Sequence, residues 1–569
     1  MDVSGWISHY AAWSKNKIAL RYLNTEITYG ELETYVSRLA ATLATDLNVA
    51  PGDRVAFLGL NSPEHIKLFF ACARIGAIWV PLNARMTVEQ HRIFIADSEP
   101  KLLIAEHEYG QHARSYLSES PDTKLLLFKS ENTDVSESTG TEFLKLGTEK
   151  RKWNGDIPDK TPVMIAYTSG TTGKPKGAVH TNESFAAAAA NSSLLFGFNS
   201  HSETLTHAPL FHIGAIAIQT LPSLYAGASV TIHRQVDPSL ILSDILKYKI
   251  TNIGAIPPVS RALFNDPGWE TADLSSMKTA MTGSARVPIE HIDRWQERGI
   301  PLVQTYGMTE AIPPILIVPV EQVESRKGSL GLPVPYCEVR LVDDQMNDVG
   351  PGETGEMVLR GPLVIKEYSN NPNANHDAFV DGWFRTGDAA HQDEEGFFYM
   401  DDRIKEIIIV GSSNVYPADL ERVLDSSDAI AECAVIARHE DEFGEVPIVF
   451  IIPKTGHALK NQRSWNFFNK ASPPTNIRMK STSSTNFQEL HWAKSTKANC
   501  EQCRATRGIP KWRRAFVVPA TNQQQIVPNQ PLPLNLAENV ASDKTCLRYS
   551  PLGWSGVVRV VEVVVNHIG

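Results

Sequence analysis

Hydrophobic residues alternate between strand-like runs and helix-like stretches over roughly the first 450 residues. RVAFLGL at 54–60 and KLLIAE at 101–106 predict strands, and PEHIKLFFACARIGA at 63–77 predicts a helix between them. The same order returns further on, where ASVTIH at 228–233 predicts a strand and SLILSDILKYKI at 239–250 a helix. This alternation is typical of an α/β fold, in which helices cover mostly parallel sheets.

The pattern changes twice in the second half. Short strands and turns between about 340 and 400 predict a β-rich subdomain that closes the large domain. A smaller α/β unit then begins. We therefore predict a large N-terminal domain over 1–402 and a small C-terminal domain whose first part is 403–460, with a hinge between the two domains. From about 460 the alternation stops, and residues 461–569 are predicted to form a poorly ordered tail without native-like packing.

Composition narrows the classes of partner. The 569-residue chain is 42% hydrophobic and 21% charged, as expected of an ordinary soluble protein. Its formal net charge of -10, with no basic block in the first 450 residues, argues against nucleic acid and favours small-molecule partners. The N-terminal MDVSGWISHYAAWSKNK has no positive region or apolar run of a signal peptide, so we expect a cytoplasmic protein.

The most apolar stretch, LFFACARIGAIWVPL at 68–82, carries Arg74 and is too short to span a bilayer. It predicts a buried helix that runs into a strand, and membrane contact is expected to be peripheral at most. The six cysteines are thinly spread, and Cys72, Cys337 and Cys433 are predicted to be free buried thiols. The sequence leaves homodimerisation open.

A loop rich in Gly, Ser and Thr follows the predicted strand VMIAYT. YTSGTTGKPKG at 167–177 offers backbone N–H groups, hydroxyl groups and two lysines, which together suit a terminal pyrophosphate. It is not the P-loop pattern G-x-x-x-x-G-K-[ST], because Lys174 precedes Pro175. A flexible surface turn is the alternative interpretation for this loop taken alone.

Four motifs, in order, resemble the adenylate-forming superfamily of acyl-CoA synthetases, luciferases and peptide-synthetase adenylation domains, over roughly residues 5–455. YTSGTTGKPKG resembles its phosphate loop, QTYGMTE its magnesium and adenine motif, GWFRTGD its ribose motif, and DRIKEIIIVGSSNVYPADLE its hinge and first C-terminal motif. GAVHTNES and DAFVDGWFRTGD look closest to bacterial ligases for fatty acids.

The resemblance implies that ATP activates a carboxylic acid, with a medium- or long-chain fatty acid expected, to an acyl-adenylate and then to an acyl-CoA thioester. ATP, Mg²⁺ and coenzyme A are the implied cofactors and co-substrates. Three alternatives stay open: another acid such as an aryl acid, another second step such as carrier-protein loading or luciferase-like oxidation, or a catalytically impaired nucleotide-binding protein.

The resemblance also implies roles for individual residues. The β and γ phosphates would be cradled by Thr168, Ser169, Gly170, Thr171, Thr172 and Gly173, with the positive charges of Lys174 and Lys176 beside the leaving group. Glu310 would hold Mg²⁺ and Thr309 would donate to the α-phosphate. The nucleoside would be bound by Tyr306 and Gly307, by Asp388 and Arg403 at the ribose, and by the adenine wall of Gly283, Ser284 and Ala285.

Two further positions concern the acid and the second step. His212 would steer the carboxylate in the acyl pocket, although a lone histidine on an apolar segment is more often a core residue. Lys405 would lie at the hinge about which the C-terminal domain swings. The chain departs from the family pattern at Ser412 and Ser413, where relatives commonly carry Gly and then Glu. The first change could crowd the path of the thiol.

The adenylation lysine of the family lies near the C-terminus in a Gly-Lys motif, and no Gly-Lys dipeptide follows Lys405. We therefore predict a reading-frame slip between about Thr455 and Arg463. A shifted frame can be tested by joining the third base of each codon to the first two bases of the next codon. In that frame the codons of Trp492 and Ala493 can encode only Gly, and the codons of residues 486–501 can encode LPRTALGKVNKGELR. On this interpretation residues 461–569 are out-of-frame translation, and the Cys-x-x-Cys at 500–503 is not half of a zinc site.

Overall fold

The computed structural model describes residues 2–117, 120, 122–128, 157–168, 175–410, 413–415, 417, 420–421, 424, 430–440, 444–453, 476–483 and 559–566. The chain divides into two compact units, Met1–Lys405 and Glu406–Gly569.

The strands are numbered in chain order. They are β1 (Ile18–Tyr22), β2 (Thr25–Thr28), β3 (Arg54–Leu58), β4 (Ile78–Leu82), β5 (Leu102–Glu106), β6 (Lys124–Phe128), β7 (Pro162–Thr168), β8 (Lys176–Thr181), β9 (Glu203–Thr206), β10 (Ser229–Ile232), β11 (Asn252–Gly254), β12 (Thr279–Thr282), β13 (Leu302–Met308), β14 (Ala311–Ile317), β15 (Leu332–Pro333), β16 (Glu338–Val342), β17 (Gly355–Arg360), β18 (Phe379–Val380), β19 (Trp383–Gln392), β20 (Phe398–Arg403), β21 (Ile408–Val410), β22 (Ser413–Val415), β23 (Ile430–Glu440), β24 (Gly444–Pro453), β25 (Asn476–Ser483) and β26 (Arg559–Asn566).

The first unit contains the following α-helices. They are α1 (Trp6–Trp13), α2 (Tyr29–Thr45), α3 (Pro63–Ile75), α4 (Val88–Ser98), α5 (Gly110–Leu117), α6 (Asn182–Phe196), α7 (Leu221–Tyr225), α8 (Pro238–Tyr248), α9 (Pro257–Phe264), α10 (Ile289–Glu297) and α11 (Pro372–Ala378). A π-helical turn, Ala215–Thr220, leads into α7.

Two large sheets form the frame of the first unit. One has the order β6-β5-β3-β4-β7-β8, and the other β15-β14-β13-β12-β11-β9-β10-β1-β2. Their inner pairs are parallel, and antiparallel pairs occur only toward the edges, at β7–β8, β13–β14, β14–β15 and β1–β2. The predicted α/β fold with mostly parallel sheets is therefore confirmed.

Both faces of the first sheet are buried, which explains its uninterrupted apolar runs. Along β3, Val55 and Phe57 belong to the main core cluster, whereas Ala56 and Leu58 belong to a second cluster with residues of α4 and α5. The alternation follows the two-residue period of a strand.

The stretch 68–82 is a buried helix followed by a strand, as predicted. Gly76 ends α3 with φ 70°, a left-handed conformation that glycine adopts without a Cβ clash. Arg74 is 6% exposed and is surrounded by hydrogen-bond acceptors from α1 and α2.

Cys72 and Cys433 are free and buried as predicted, but Cys337 is only partly buried, because it lies beside the exposed edge strand β16.

The predicted β-rich subdomain is a five-stranded antiparallel sheet in which β16, β17, β19 and β18 are neighbours and β20 pairs with β19.

In the part of the chain that the structure describes, no helix is long and apolar enough to cross a membrane.

The second unit contains an antiparallel sheet in which β24 lies between β21 and β26, with β23 also on β24. The predicted strand at the start of this unit is shorter than expected, because a 3-10 turn over Ile404–Glu406 precedes β21. Two strands, β25 and β26, come from the predicted tail; they pair with each other, and β26 also pairs with β24. The Cys-x-x-Cys at 500–503 lies outside the described residues, and the out-of-frame origin of the tail stays a prediction.

Candidate functional site

The predicted site residues of the first unit lie at strand ends and in the turns that follow them. Thr168 is the last residue of β7 and Lys176 the first of β8, and the two are directly paired across this antiparallel hairpin. The rest of the predicted phosphate loop, Ser169–Lys174, lies outside the described residues. The hairpin therefore fixes both ends of the loop.

Glu310 lies in the short turn between the antiparallel strands β13 and β14, beside Thr309. The residue is 9% exposed, and its carboxylate accepts a hydrogen bond of 3.0 Å from the Tyr368 hydroxyl. Burial raises the pKa of Glu310, and hydrogen bonds from its own backbone and from Tyr368, with the charges of Arg403 and Lys176, oppose that rise.

Within the described residues, Glu310 forms no salt bridge. A buried carboxylate without a directly paired cation is costly unless a cation binds there. Its oxygens suit Mg²⁺, a hard ion that usually takes one or two carboxylates together with substrate phosphates. The residues present therefore fit the magnesium that the family motif implies.

A second buried carboxylate, Asp388, follows the bend at Gly387 in β19. Tyr306 donates from its hydroxyl to Asp388 Oδ2 at 2.6 Å, and Arg403 Nε lies 3.2 Å from Oδ1. Burial raises the pKa of Asp388, and the Arg403 charge and the Tyr306 hydrogen bond counteract this effect. The structure thus brings together Tyr306, Asp388 and Arg403, which the sequence predicts for nucleoside binding.

Two glycines of the site have no room for a side chain. A Cβ on Gly283 would lie 2.6 Å from the backbone oxygen of Thr305, and a Cβ on Gly307 would lie 2.5 Å from Cβ of Pro313. Ser284, next to Gly283, has φ 63°, which is uncommon for a residue other than glycine. Close backbone packing therefore shapes the segment predicted to wall the adenine, Gly283–Ala285.

His212 is exposed, so it is not the core histidine of the alternative interpretation. Its ring lies 4.5 Å from that of Phe211, and the π-helical turn Ala215–Thr220 follows. Partial removal of the ring from water, and then the charge of Arg85, lower the pKa of His212. The imidazole is therefore neutral at pH 7 and can offer a hydrogen bond.

Sequence reasoning missed two residues of this region, Tyr368 and Asn375. Tyr368 contacts Glu310, and the Asn375 side chain binds both backbone polar groups of Tyr368. A single tyrosine in the polar segment KEYSNNPNAN gives no periodic signal, and only the fold places it beside Glu310.

Lys405, the predicted hinge residue, is the last residue of the first unit, and its side chain lies outside the described residues.

Comparison with known proteins identifies the family of the chain. Residues 7–369 match the AMP-binding enzyme family, and residues 419–465 match the AMP-binding enzyme C-terminal domain. An indoleacetate–CoA ligase of Aromatoleum aromaticum is 38% identical over 81% of this chain and 89% of its own length. A feruloyl-CoA synthase of an Amycolatopsis species is 35% identical over 80% of this chain and 90% of its own.

Among solved structures, the o-succinylbenzoate–CoA synthetase of Bacillus subtilis in complex with ATP and magnesium superimposes with a TM-score of 0.74 and 28% identity. The superposition covers 83% of this chain and 93% of the synthetase. These matches confirm the resemblance predicted from the motifs: the chain belongs to the AMP-binding enzymes, the adenylate-forming superfamily.

Proposed function

We propose that this protein is an ATP-dependent acid–CoA ligase. The substrate carboxylate attacks the α-phosphorus of ATP, pyrophosphate leaves, and an acyl-adenylate forms. The thiolate of coenzyme A then attacks the acyl carbonyl, and AMP leaves with the electron pair of the broken C–O bond. The observation that carries this proposal is the pair of differently held carboxylates, Glu310 and Asp388, inside a fold that matches an ATP- and magnesium-bound synthetase.

The residues act mainly by positioning and by charge. Asp388 and Arg403 would hold the ribose hydroxyls, and Tyr306 would keep the Asp388 carboxylate oriented. Lys176 would place a positive charge beside the phosphates. Mg²⁺, held by Glu310, would neutralise phosphate charge as pyrophosphate departs.

For the acid we propose an aryl or arylalkanoic acid in place of the fatty acid that the motifs favoured. Support comes from the relatives at 38% and 35% identity, which are named for indoleacetate and ferulate. The segment after His212 is compatible with a flat apolar acid: Ile213 and Ile216 are buried, and Ile218 is partly exposed. His212, neutral at pH 7, would donate to the carboxylate at the mouth of this segment.

The second candidate is a protein that binds ATP and an acid but adenylates poorly. The lack of a Gly-Lys dipeptide after Lys405 favours it, because the cation expected at the α-phosphate would be missing. Carrier-protein loading has less support, since the indoleacetate–CoA ligase and the feruloyl-CoA synthase are both named for CoA.

The test is AMP release with indole-3-acetate, ferulate, octanoate and palmitate, each with and without CoA. We expect aryl acids to give CoA-dependent AMP release and the matching acyl-CoA by mass spectrometry. Palmitate as the best substrate would refute the choice of acid, and AMP release without an acyl-CoA product would refute the choice of acceptor. Binding of MgATP and ferulate without AMP release would favour the second candidate. Cytoplasmic location and dimerisation remain predictions.

A further inference from the structure

A short segment, Leu363–Ser369, joins the two large sheets of the first unit; we call it the strap. At one end the Ile312 amide donates to the Leu363 carbonyl at 3.0 Å, and the Ile365 amide donates to the carbonyl of Glu310 at 2.9 Å. These bonds attach the strap to β14, directly after the carboxylate predicted to hold magnesium.

The other end of the strap binds β8, directly after the predicted phosphate loop. The Ser369 amide donates to the Gly177 carbonyl at 2.7 Å, and the Val179 amide donates to the Glu367 carbonyl at 3.2 Å. Tyr368 forms a β-bridge with Ala178 between these two bonds. The backbone of the strap therefore connects both halves of the predicted phosphate and magnesium site.

The Tyr368 side chain makes the same connection. Its hydroxyl donates to Glu310 Oε1 at 3.0 Å, and both groups are buried. Lys176 Nζ lies 5.0 Å from the centroid of the Tyr368 ring, within the range of a cation–π contact. One side chain thus touches the carboxylate on one side of the site and a predicted phosphate-binding cation on the other.

Tyr368 is itself held in place. Its amide donates to Asn375 Oδ1 at 2.6 Å, and Asn375 Nδ2 donates back to its carbonyl at 3.1 Å. Asn375 lies on α11, whose first turn is capped by Asn371, which accepts from the Ala374 amide at 3.1 Å. A tyrosine in the core needs only one acceptor for its hydroxyl. The two hydrogen bonds from Asn375 and the contact with Lys176 therefore indicate that Tyr368 does more than fill space in the core.

We propose that Tyr368 is a positioning residue for the magnesium carboxylate. Its hydroxyl is bonded to Oε1 of Glu310, so it would orient the carboxylate and leave Oε2 free for the metal. Its ring holds the Lys176 cation on the phosphate side. The inference rests on the proposed function, because it assumes that Glu310 receives Mg²⁺ together with ATP.

The test measures ATP binding by the full chain at increasing Mg²⁺ concentration, using calorimetry, with Mn²⁺ paramagnetic resonance as a second readout. Tyr368→Phe keeps the ring and loses the hydroxyl, so the Mg²⁺ concentration for half-saturation should rise about tenfold or more, as for other partners that orient a metal ligand. Metal-free ATP binding should not change. Tyr368→Leu should weaken metal-free binding too, because Lys176 loses the ring.

Tyr399→Phe is the matched control. The Tyr399 hydroxyl also donates to a carboxylate, Asp393, at 3.3 Å, but in the β-rich subdomain. It should leave the Mg²⁺ requirement unchanged. Asn375→Ala provides a second variant that keeps the tyrosine, and it should shift the Mg²⁺ requirement in the same direction as Tyr368→Phe.

The outcomes separate the two claims. An unsubstituted protein without Mg²⁺-dependent ATP binding would overturn the proposed function, and this inference with it. Normal Mg²⁺ dependence in that protein, together with an unchanged Mg²⁺ requirement in Tyr368→Phe and Asn375→Ala, would overturn the inference alone.

Discussion

Glu310 and Asp388 are both buried, but they are held for different tasks. Asp388 receives a phenol and a guanidinium, so both of its oxygens are oriented within the protein. Glu310 receives one phenol, and no described cation forms a salt bridge with it. An ion that arrives with the nucleotide would supply the missing charge, so loss of the Glu310 charge should act on the metal before it acts on the nucleoside.

Glu310→Gln tests this expectation. The amide keeps the volume and can still accept from Tyr368, but the negative charge is lost. The half-saturating Mg²⁺ concentration for ATP binding should rise by more than about 100-fold, beyond the usual effect of a residue that only supports a metal ligand. Glu338→Gln, at an exposed ion pair with Arg360, is the control and should behave like the unsubstituted protein. Equal Mg²⁺ requirements in both variants would remove Glu310 from the metal site.

The pH dependence of metal binding follows from the same carboxylate. Burial raises the pKa of Glu310 above its ordinary value of 4.5, and only the ionised form can bind Mg²⁺. Mg²⁺-dependent ATP binding should therefore be complete above the raised pKa and be lost as the pH falls through it, at a higher pH than an exposed glutamate would allow. Titration of the Mg²⁺ requirement between pH 8 and pH 5 measures this. A requirement that stays constant over that range, once the titration of ATP itself is subtracted, would contradict the prediction.

At the scale of elements, apolar runs predicted the strands because both faces of the first sheet are buried. The sequence could not predict the strap, since its hydrogen bonds join Glu310, Gly177 and Val179, which are distant in the chain. The sequence also did not predict the tight turn at Glu310, which lies between two antiparallel strands. The motifs located Asp388 and Tyr306, but their hydrogen bond required the fold.

Helix α3 carries an ionic contact that the sequence signalled only as a charge in an apolar run. Arg74 donates to Glu33 Oε1 at 2.9 Å and to the Ser37 and Ser8 hydroxyls at 2.8 and 2.9 Å. Burial acts to raise the pKa of Glu33, but Arg74 and the serine hydroxyls outweigh it, so the pKa lies below its usual range. The three helices α1, α2 and α3 are therefore joined through one guanidinium.

Arg74→Leu should lower the free energy of unfolding by about 3 kcal/mol at pH 7, because Glu33 keeps its charge and loses its partner. The double variant with Glu33→Leu should recover part of this loss. Since the pKa of Glu33 is depressed, its stabilising effect is present above its unfolded pKa of about 4.3 and is lost as the pH falls through the folded value. Urea denaturation at pH 7 and at pH 3 measures both effects. An Arg74→Leu deficit of equal size at both pH values would contradict the ionic origin.

At the scale of the whole molecule, similarity to relatives stops before the chain does. The C-terminal family match ends at residue 465, and the indoleacetate–CoA ligase aligns with 459 residues, which is 81% of this chain but 89% of that enzyme. Both proteins thus have an unmatched remainder. The predicted change of reading frame near codon 460 would leave such a remainder at the end of each protein.

Resequencing the gene should therefore find a single-base insertion or deletion near codon 460. The restored frame should encode LPRTALGKV in place of the residues from Asn486 onward, and it should raise the rate of acyl-adenylate formation by about 100-fold or more, the usual effect of one well-placed charge donor. ATP–pyrophosphate exchange in the two proteins measures the difference. A gene without an insertion or deletion near codon 460, together with full activity of the 569-residue protein, would refute the predicted change of reading frame.

The strap has a consequence for how the first unit opens. The Val179 amide in one sheet and the Ile312 amide in the other both donate to strap carbonyls, so neither sheet edge can release its amide while the strap stays bound. Their hydrogen exchange should report one shared opening with one free energy, and MgATP should slow both amides by the same factor. Exchange at independent rates would contradict this. A nucleotide bound beside the strap would then slow hydrogen exchange in both sheets together. The fraction of protein with bound nucleotide would be measurable from amides that do not contact the nucleotide.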